Sequence, residues 1–183
     1  MGKLIEVNHV SLGGEVGSTQ WALPYLDEDH EEHAMRTLAD ADSLLLGRKT
    51  YEGFAEAWPS REGPFADKLN SDPKYVVSTT LSDPAWQNTT VISGDAVEGV
   101  SKLKDDTEGT ILVAGSGTLV RALLAADLVD ELRLMVFPTI LGRGERLFPD
   151  GIDRLKFKLA ESRTVGPDGV QVQVYTRANW ETE

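Results

Sequence analysis

Two stretches of this chain combine the residue types that hold a bound anion. In Leu46-Gly47-Arg48-Lys49-Thr50-Tyr51 an apolar run ends on glycine, and two cations and a hydroxyl follow at once. A helix starting there would aim its unpaired amides and the positive end of its dipole the same way as Arg48 and Lys49. That suits a phosphate monoester, with Arg48 as the forked donor. Two cations oppose the dipole at a helix start, so their placement calls for a reason beyond solvation. The second stretch is Val113-Ala114-Gly115-Ser116-Gly117-Thr118-Leu119. Strand, two glycines and helix is the arrangement that lets backbone approach a pyrophosphate. Val120 stands where a third glycine would complete a dinucleotide fingerprint, and no Gly-Lys-Ser/Thr follows, so neither phosphate motif is whole. Taken alone, each stretch also reads as an ordinary tight turn. Two such junctions in one α/β domain support each other, because the C-terminal ends of the strands line one crevice. Val77-Ser78-Thr79-Thr80 repeats the pattern faintly; Ser78 and Thr79 could reach the same nucleotide or simply form a turn.

The remaining chemistry-bearing residues are less pointed. His30-Glu31-Glu32-His33 has the spacing to chelate a metal on one helix face, but it is not His-Glu-x-x-His and lacks a third ligand, so a solvated helix start without metal is expected. His9 is expected to pack or hydrogen-bond on its strand. No Gly-x-Ser-x-Gly elbow is present for a serine nucleophile. Trp58, Trp86 and Trp180 read as packing residues. Tyr51, Asp27 and Glu28 are the candidates for a proton donor, with water as the alternative.

These residues need elements to position them. Leu4 to Val10, Ser43 to Leu46, Tyr75 to Ser78, Thr90 to Ile92 and Ile111 to Ala114 read as short strands. Asp27 to Leu38, Lys49 to Ala57, Ala96 to Lys104 and Thr118 to Ala126 read as the helices between them. Strands alternating with single helices predict a mostly parallel sheet covered on both faces. The last third differs: Glu131 to Ile140, Leu155 to Val165 and Val170 to Arg177 are strand-like with no helix between them. Gly166-Pro167-Asp168-Gly169 is a hairpin turn, and the alternation from Val170 to Tyr175 gives that strand one wet face. The expected architecture is a three-layer α/β domain over residues 1–183, with an antiparallel C-terminal edge.

Composition narrows the partners. The chain has 183 residues and a formal net charge of −12, the balance opposite to that of a nucleic-acid or anionic-membrane binder. A local basic pocket is compatible with that total. With no cysteine, disulfides, thiolate catalysis and Cys-type metal sites are excluded. The start shows no signal-peptide pattern, and apolar runs such as Ile111 to Gly115 are far short of the ~18–20 residues that span a bilayer, so a cytoplasmic protein is expected.

Leu45 to Glu52, Lys74 to Ser78, Val113 to Leu119, and Asp130-Glu131-Leu132 through Leu141-Gly142-Arg143-Gly144 occur in that order. Together they resemble the dihydrofolate-reductase-like family, in the branch related to the reductase domain of bacterial riboflavin biosynthesis. The resemblance covers nearly the whole chain. It implies a sheet of about eight strands with helices on both faces, and NADPH as cofactor. Its Gly-Arg-x-Thr turn for the 2′-phosphate lands on Gly47, Arg48, Lys49 and Thr50, and its pyrophosphate turn on Gly115, Ser116, Gly117, Thr118 and Leu119. It also implies a small-molecule substrate, an aminouracil-phosphoribose by default, and a homodimer through the strand Leu132 to Pro138. Two departures matter. The family's first loop reads Ser-Leu-Asp-Gly, whereas Ser11-Leu12-Gly13-Gly14 stands here and removes a carboxylate from the substrate side. Thr79 replaces a basic residue. An NADPH-dependent reductase is the leading reading; a nucleotide-binding homodimer without turnover is the alternative, and a metal-dependent hydrolase using His30 and His33 a third.

Overall fold

A computed structural model describes residues 1–178; Trp180 lies outside the described residues. Eight strands, β1 (Lys3–Ser11), β2 (Ser43–Gly47), β3 (Lys74–Val77), β4 (Thr89–Ile92), β5 (Thr110–Ala114), β6 (Glu131–Phe137), β7 (Lys156–Val165) and β8 (Val170–Ala178), form one sheet. Their order is β4-β3-β2-β5-β1-β6-β8-β7. The first six in that row run parallel, while β8 is antiparallel to both β6 and β7. The helices are α1 (Glu28–Ala39), α2 (Arg48–Ala57), α3 (Pro64–Ser71), α4 (Ala96–Asp106) and α5 (Gly117–Ala125), with a 3-10 helix over Thr19–Tyr25.

Alternation along the strands sorts side chains into two cores. Leu4, Val10, Ile111 and Val113 pack with Val100 and Leu103 of α4 and with Val120 and Leu123 of α5. Ile5, Leu44, Leu46 and Leu112 pack on the other face with Leu38 of α1, Tyr51 of α2 and Leu69 of α3. Each such side chain contributes about 1.5–3 kcal/mol on burial, so the layers are held chiefly by these two clusters. A third, smaller cluster of Ala22, Met135, Phe137, Val165, Val170 and Val172 lies under the C-terminal hairpin.

Two elements depart from the sequence reading. Helix α3 was not anticipated: it is only eight residues long and buries only Ala66 and Leu69, too few to show a periodic stripe. Its end is held by Lys74, fully buried, whose ammonium donates to the carbonyls of Leu69 (2.8 Å), Asn70 (3.1 Å) and Asp72 (2.7 Å). Strand β6 ends at Phe137 rather than Ile140, because Pro138 has no N–H to continue a ladder.

The homodimer expected through Leu132 to Pro138 needs correction in its geometry. β6 lies between β1 and β8 and is hydrogen-bonded along both edges, and Leu132, Leu134, Met135 and Phe137 are buried. The strand has no edge to offer a second copy. The free edges are β4 and β7, and β7 carries Lys158, Glu161 and a bulge between Leu159 and Glu161, features that discourage edge pairing.

Candidate cofactor and substrate site

The two glycine junctions read from the sequence meet in space and interlock. The Gly47 amide donates to Ser116 Oγ (2.9 Å), the Ser116 amide donates to Thr50 Oγ1 (3.2 Å), and Ser116 Oγ donates to the Ala114 carbonyl (3.0 Å). Gly115 and Ser116 both have positive φ, 58° and 55°, a turn that glycine makes freely and serine accepts only where its surroundings hold it. The Thr50 hydroxyl is thus spent on the Ser116 amide, and the Ser116 hydroxyl on the backbone of Gly47 and Ala114. What remains for a ligand is main-chain N–H.

The helix starts show the same division. α1 begins on Asp27 and α4 on Asp95, each carboxylate accepting an amide of its first turn, from His30 (3.2 Å) and Glu98 (2.9 Å). α2 and α5 begin on Gly47 and Ser116 with no side-chain cap. Their first amides and dipoles therefore stay available at the crevice, and an anion is the group that satisfies both. Arg48 and Lys49 are exposed at the first turn of α2, with Arg48 paired to Glu52 at 2.8 Å. Both partners of that pair are about half exposed, so the bond is weak and exchangeable.

The other sequence candidates separate. Ser78 is buried and its hydroxyl accepts the amides of Thr80 (3.2 Å) and Leu81 (3.0 Å), a turn-forming role, while Thr79 is exposed beside it. Tyr51 is corrected to a core residue: it is 3% exposed and its hydroxyl accepts the Trp86 amide at 3.1 Å. Glu28 is exposed on α1. Asp27 is half-buried, and its carboxylate lies 2.6 Å from His30 Nδ1. That bond, more than anything else, holds Asp27 below the usual carboxylate range. An ionised Asp27 has no proton to give; Nδ1 also lies 3.4 Å from the Asp27 amide, and a hydrogen placed on Nδ1 toward the carboxylate would leave Nε2 free to accept. Gly166 of the β7–β8 turn closes over this pair; a Cβ there would lie 2.6 Å from His30 Cε1 and 2.9 Å from Asp27 Oδ2.

Sequence reasoning missed what surrounds this pair. Four rings from two elements and a loop helix converge on Phe137 at the end of β6: His9 at 5.1 Å, Trp21 at 5.4 Å, Tyr25 at 5.6 Å and His30 at 6.2 Å between centroids. His9 Nδ1, Trp21 Nε1 and His30 Nε2 are all buried without a partner. Burial holds the His9 ring neutral, its pKa pushed down to about 4. Unpaired buried nitrogens cost about 1–3 kcal/mol each, and three of them stand around one ring. The set stands at the C-terminal end of β1, whose Val7 carbonyl takes the Gly115 amide (3.2 Å), so it adjoins the anion cradle. No local spacing in the sequence signals rings brought together from so far apart.

The profile of the RibD C-terminal domain family matches residues 4–171. The chain belongs to that family. The uncharacterized protein YyaP of Bacillus subtilis (strain 168) is 30% identical over 164 residues, covering 87% of this chain and 85% of its own. A protein of Shewanella sp. PV-4 assigned to riboflavin biosynthesis shares the fold with a TM-score of 0.79 at 22% identity, over 97% of this chain and 99% of that one. Dihydrofolate reductase from Enterococcus faecalis, solved with NADP(H), shares it with a TM-score of 0.66 at 19% identity, over 97% of both chains. The fold is therefore that of dihydrofolate reductase.

Against that family, the loss of the first-loop acid at Gly13 looks different in three dimensions. A Cβ on Gly13 would fall inside the Glu15 carboxylate, 2.7 Å from its Cδ, so the acid from two residues on fills the vacated place. Glu15 is 4% exposed; Ser11 Oγ donates to it and, with backbone amides including that of Gly142, holds it ionised. The metal reading of His30 and His33 meets a different geometry. Arg163 donates to His33 Nδ1 at 2.6 Å, and among the described residues no group of three or more His, Asp or Glu side chains is placed to hold an ion. The polar cleft below His33, about 380 Å³, is closed by ion pairs of Arg133 with Glu131 and Asp40 and of Arg163 with Glu161. Among the described residues no helix is long and apolar enough to cross a membrane.

Proposed function

We propose that this member of the RibD C-terminal domain family is an NADPH-dependent reductase acting on a flat, hydrogen-bonding heterocycle. The observation that carries the reading is the pair of uncapped helix starts, α2 and α5, locked side by side through Ser116 and Thr50 with Arg48 and Lys49 beside them. These residues fit a dinucleotide. The amides of residues 117–119 would take the pyrophosphate, and Arg48 would exchange Glu52 for the 2′-phosphate. When bound, NADPH supplies a hydride; this chain's residues bind, orient and exclude water.

The substrate would sit against Phe137. Trp21 Nε1–H can only donate, and His30, with a single hydrogen at Nδ1 facing Asp27, would accept at Nε2. Together they suit an edge that offers a carbonyl oxygen and an N–H, as a lactam-type ring does. The alternative of a nucleotide-binding homodimer without turnover draws on Gly13. The Glu15 carboxylate in that place argues for turnover.

Titration of nicotinamide fluorescence with NADPH and NADH tests the reading. Arg48→Ala should weaken NADPH about 10- to 100-fold, the 1.5–3 kcal/mol of a charge-assisted bond, and NADH by less than about threefold. Equal losses would remove the 2′-phosphate assignment, and no binding of either dinucleotide would remove the reductase reading.

A further inference from the structure

A buried acid lies beneath the anion cradle and takes no part in it. Glu6, in the middle of β1, is 0% exposed, with Val113 of β5 and Leu132 of β6 as its neighbours across the sheet. Its Oε1 accepts Asn8 Nδ2 at 2.6 Å, while its Oε2 is buried without a partner. Asn8 Nδ2 also donates to the Gly115 carbonyl at 3.3 Å. That carbonyl and the Ser116 amide belong to one peptide plane, so the plane is held at its oxygen by Asn8 and at its N–H by Thr50. It is the plane from which α5 sets out.

We propose that Glu6 is a positioning residue: its protonated carboxyl and Asn8 together hold the Gly115–Ser116 peptide, and so aim the amides that begin α5. The two hydrogens of Asn8 Nδ2 are divided between Glu6 and Gly115. A carboxylate is roughly twice as strong an acceptor as a neutral carboxyl oxygen, so ionisation draws Asn8 toward Glu6 at the expense of the longer bond. Among the described residues no cation pairs with that carboxyl, and Arg177 on β8 is taken by Asp127. The face toward α4 and α5 presents Val100, Leu103, Val120 and Leu123. The charged groups on that face are already paired, Lys104 with Asp130 and Arg121 with Glu145, and Tyr175, beyond Leu132, donates its hydroxyl to Gln173. Burial pushes the Glu6 carboxyl up to about 8, so the proton is present at neutral pH and leaves in mild alkali.

The inference rests on the cofactor reading only in its consequence, so the test begins without cofactor. Amide chemical shifts of Gly115 and Ser116 in the full chain, followed from pH 6.5 to 9.5, should titrate with a midpoint near 8. In Glu6→Gln, which keeps the bond to Asn8 and cannot ionise, they should stay still. In Asn8→Ala, which keeps the acid and cuts the link, they should also stay still. Amides that do not titrate in the natural chain, or that titrate unchanged in Asn8→Ala, overturn the proposal. NADPH affinity should then fall about fivefold to tenfold between pH 7 and 9.5, the worth of one hydrogen bond, and remain flat in Glu6→Gln. If the amides titrate as described but no variant binds NADPH, the lock stands and the cofactor reading falls. A pH-independent affinity alongside titrating amides would show that the peptide does not aim the amides, and would overturn the proposal.

Discussion

Strand β1 carries polar side chains on both of its faces, and the chain treats the two faces differently. Toward α5, Glu6 and Asn8 bond to each other and then to the backbone at Gly115, a closed arrangement with one oxygen left over. Toward α1, His9 has a buried nitrogen with no partner, and Trp21 and His30 across Phe137 are in the same state. Buried polar groups that hold a fold find partners within the chain; groups reserved for a guest do not. The contrast extends to the backbone, where α1 and α4 are capped by aspartates while α2 and α5, at the crevice, are left open. Under the proposed function the unpaired groups would divide by ligand: exposed amides and cations for the dinucleotide's anions, buried ring nitrogens for an uncharged heterocycle.

The largest effect expected from disturbing this contrast is a change in pH dependence. Glu6 has a folded pKa of about 8 against 4.5, so between those values the folded chain holds the extra proton and stability falls as pH rises. His9 and His33 have folded values of about 4 against 6.5, so over that window the unfolded chain binds more protons and stability rises with pH. Below pH 6.5 two histidines outweigh one glutamate; from there to pH 8 Glu6 dominates, and above pH 8 Lys74, whose pKa burial lowers from 10.5 to about 8, turns the trend upward again. Urea unfolding should therefore show a stability maximum near pH 6.5. Glu6→Gln should abolish the fall toward pH 8, a gain on the order of 4–5 kcal/mol at about 1.4 kcal/mol per pH unit. No gain at pH 8 would mean that the acid has a partner, and the contrast between the two faces would lose one side.

A smaller effect is expected at the roof of the other face. Gly166→Ala adds a Cβ at φ 70°, pressed against His30 and Asp27, and should cost about 2–3 kcal/mol in thermal unfolding, from left-handed strain plus displacement of the pair. A loss below about 0.5 kcal/mol, the range of a neutral surface change, would show that the turn does not close on the pair. The smallest effect sharpens the comparison most. Trp21→Phe keeps a ring against Phe137 and removes an N–H that bonds to nothing, so relief of that nitrogen's penalty offsets the packing lost with the smaller ring and stability should move by less than about 0.5 kcal/mol. A loss above about 1 kcal/mol would reveal a partner for that nitrogen within the chain.

Much of the frame was legible in the residues. Short apolar runs ending on Gly47 and Gly115 marked the buried strands, and the two junctions at their ends are the ones that interlock. Arg48, Lys49 and Thr50 stand where the dipole argument put them. Glu6 and Asn8 were not legible, because polar residues in a strand carry no mark of burial, and only the docking of α4 and α5 on their face of β1 covers them. Tyr51 looked like a proton donor from its place beside Arg48, but a helix turns about 100° per residue and carries it into the core. The Phe137 ring set could not be read at all. Its members come from β1, the 3-10 helix, α1 and β6, and proximity of that kind arises only when the sheet is assembled.

That assembly has an order built into it. β1 is made first, yet Lys3 pairs with Thr110 and Ile5 with Glu131, so the middle of the sheet stays open until the chain has been synthesised through Phe137. Closing loops that long is entropically slow, and contacts of such sequence separation lower folding rates. A nascent chain halted before β6 would carry β1 with an unpaired edge and the apolar side chains of Leu4, Ile5 and Val10 uncovered on that side. Of the strands in this sheet, the one made first is the one that must wait longest for shelter.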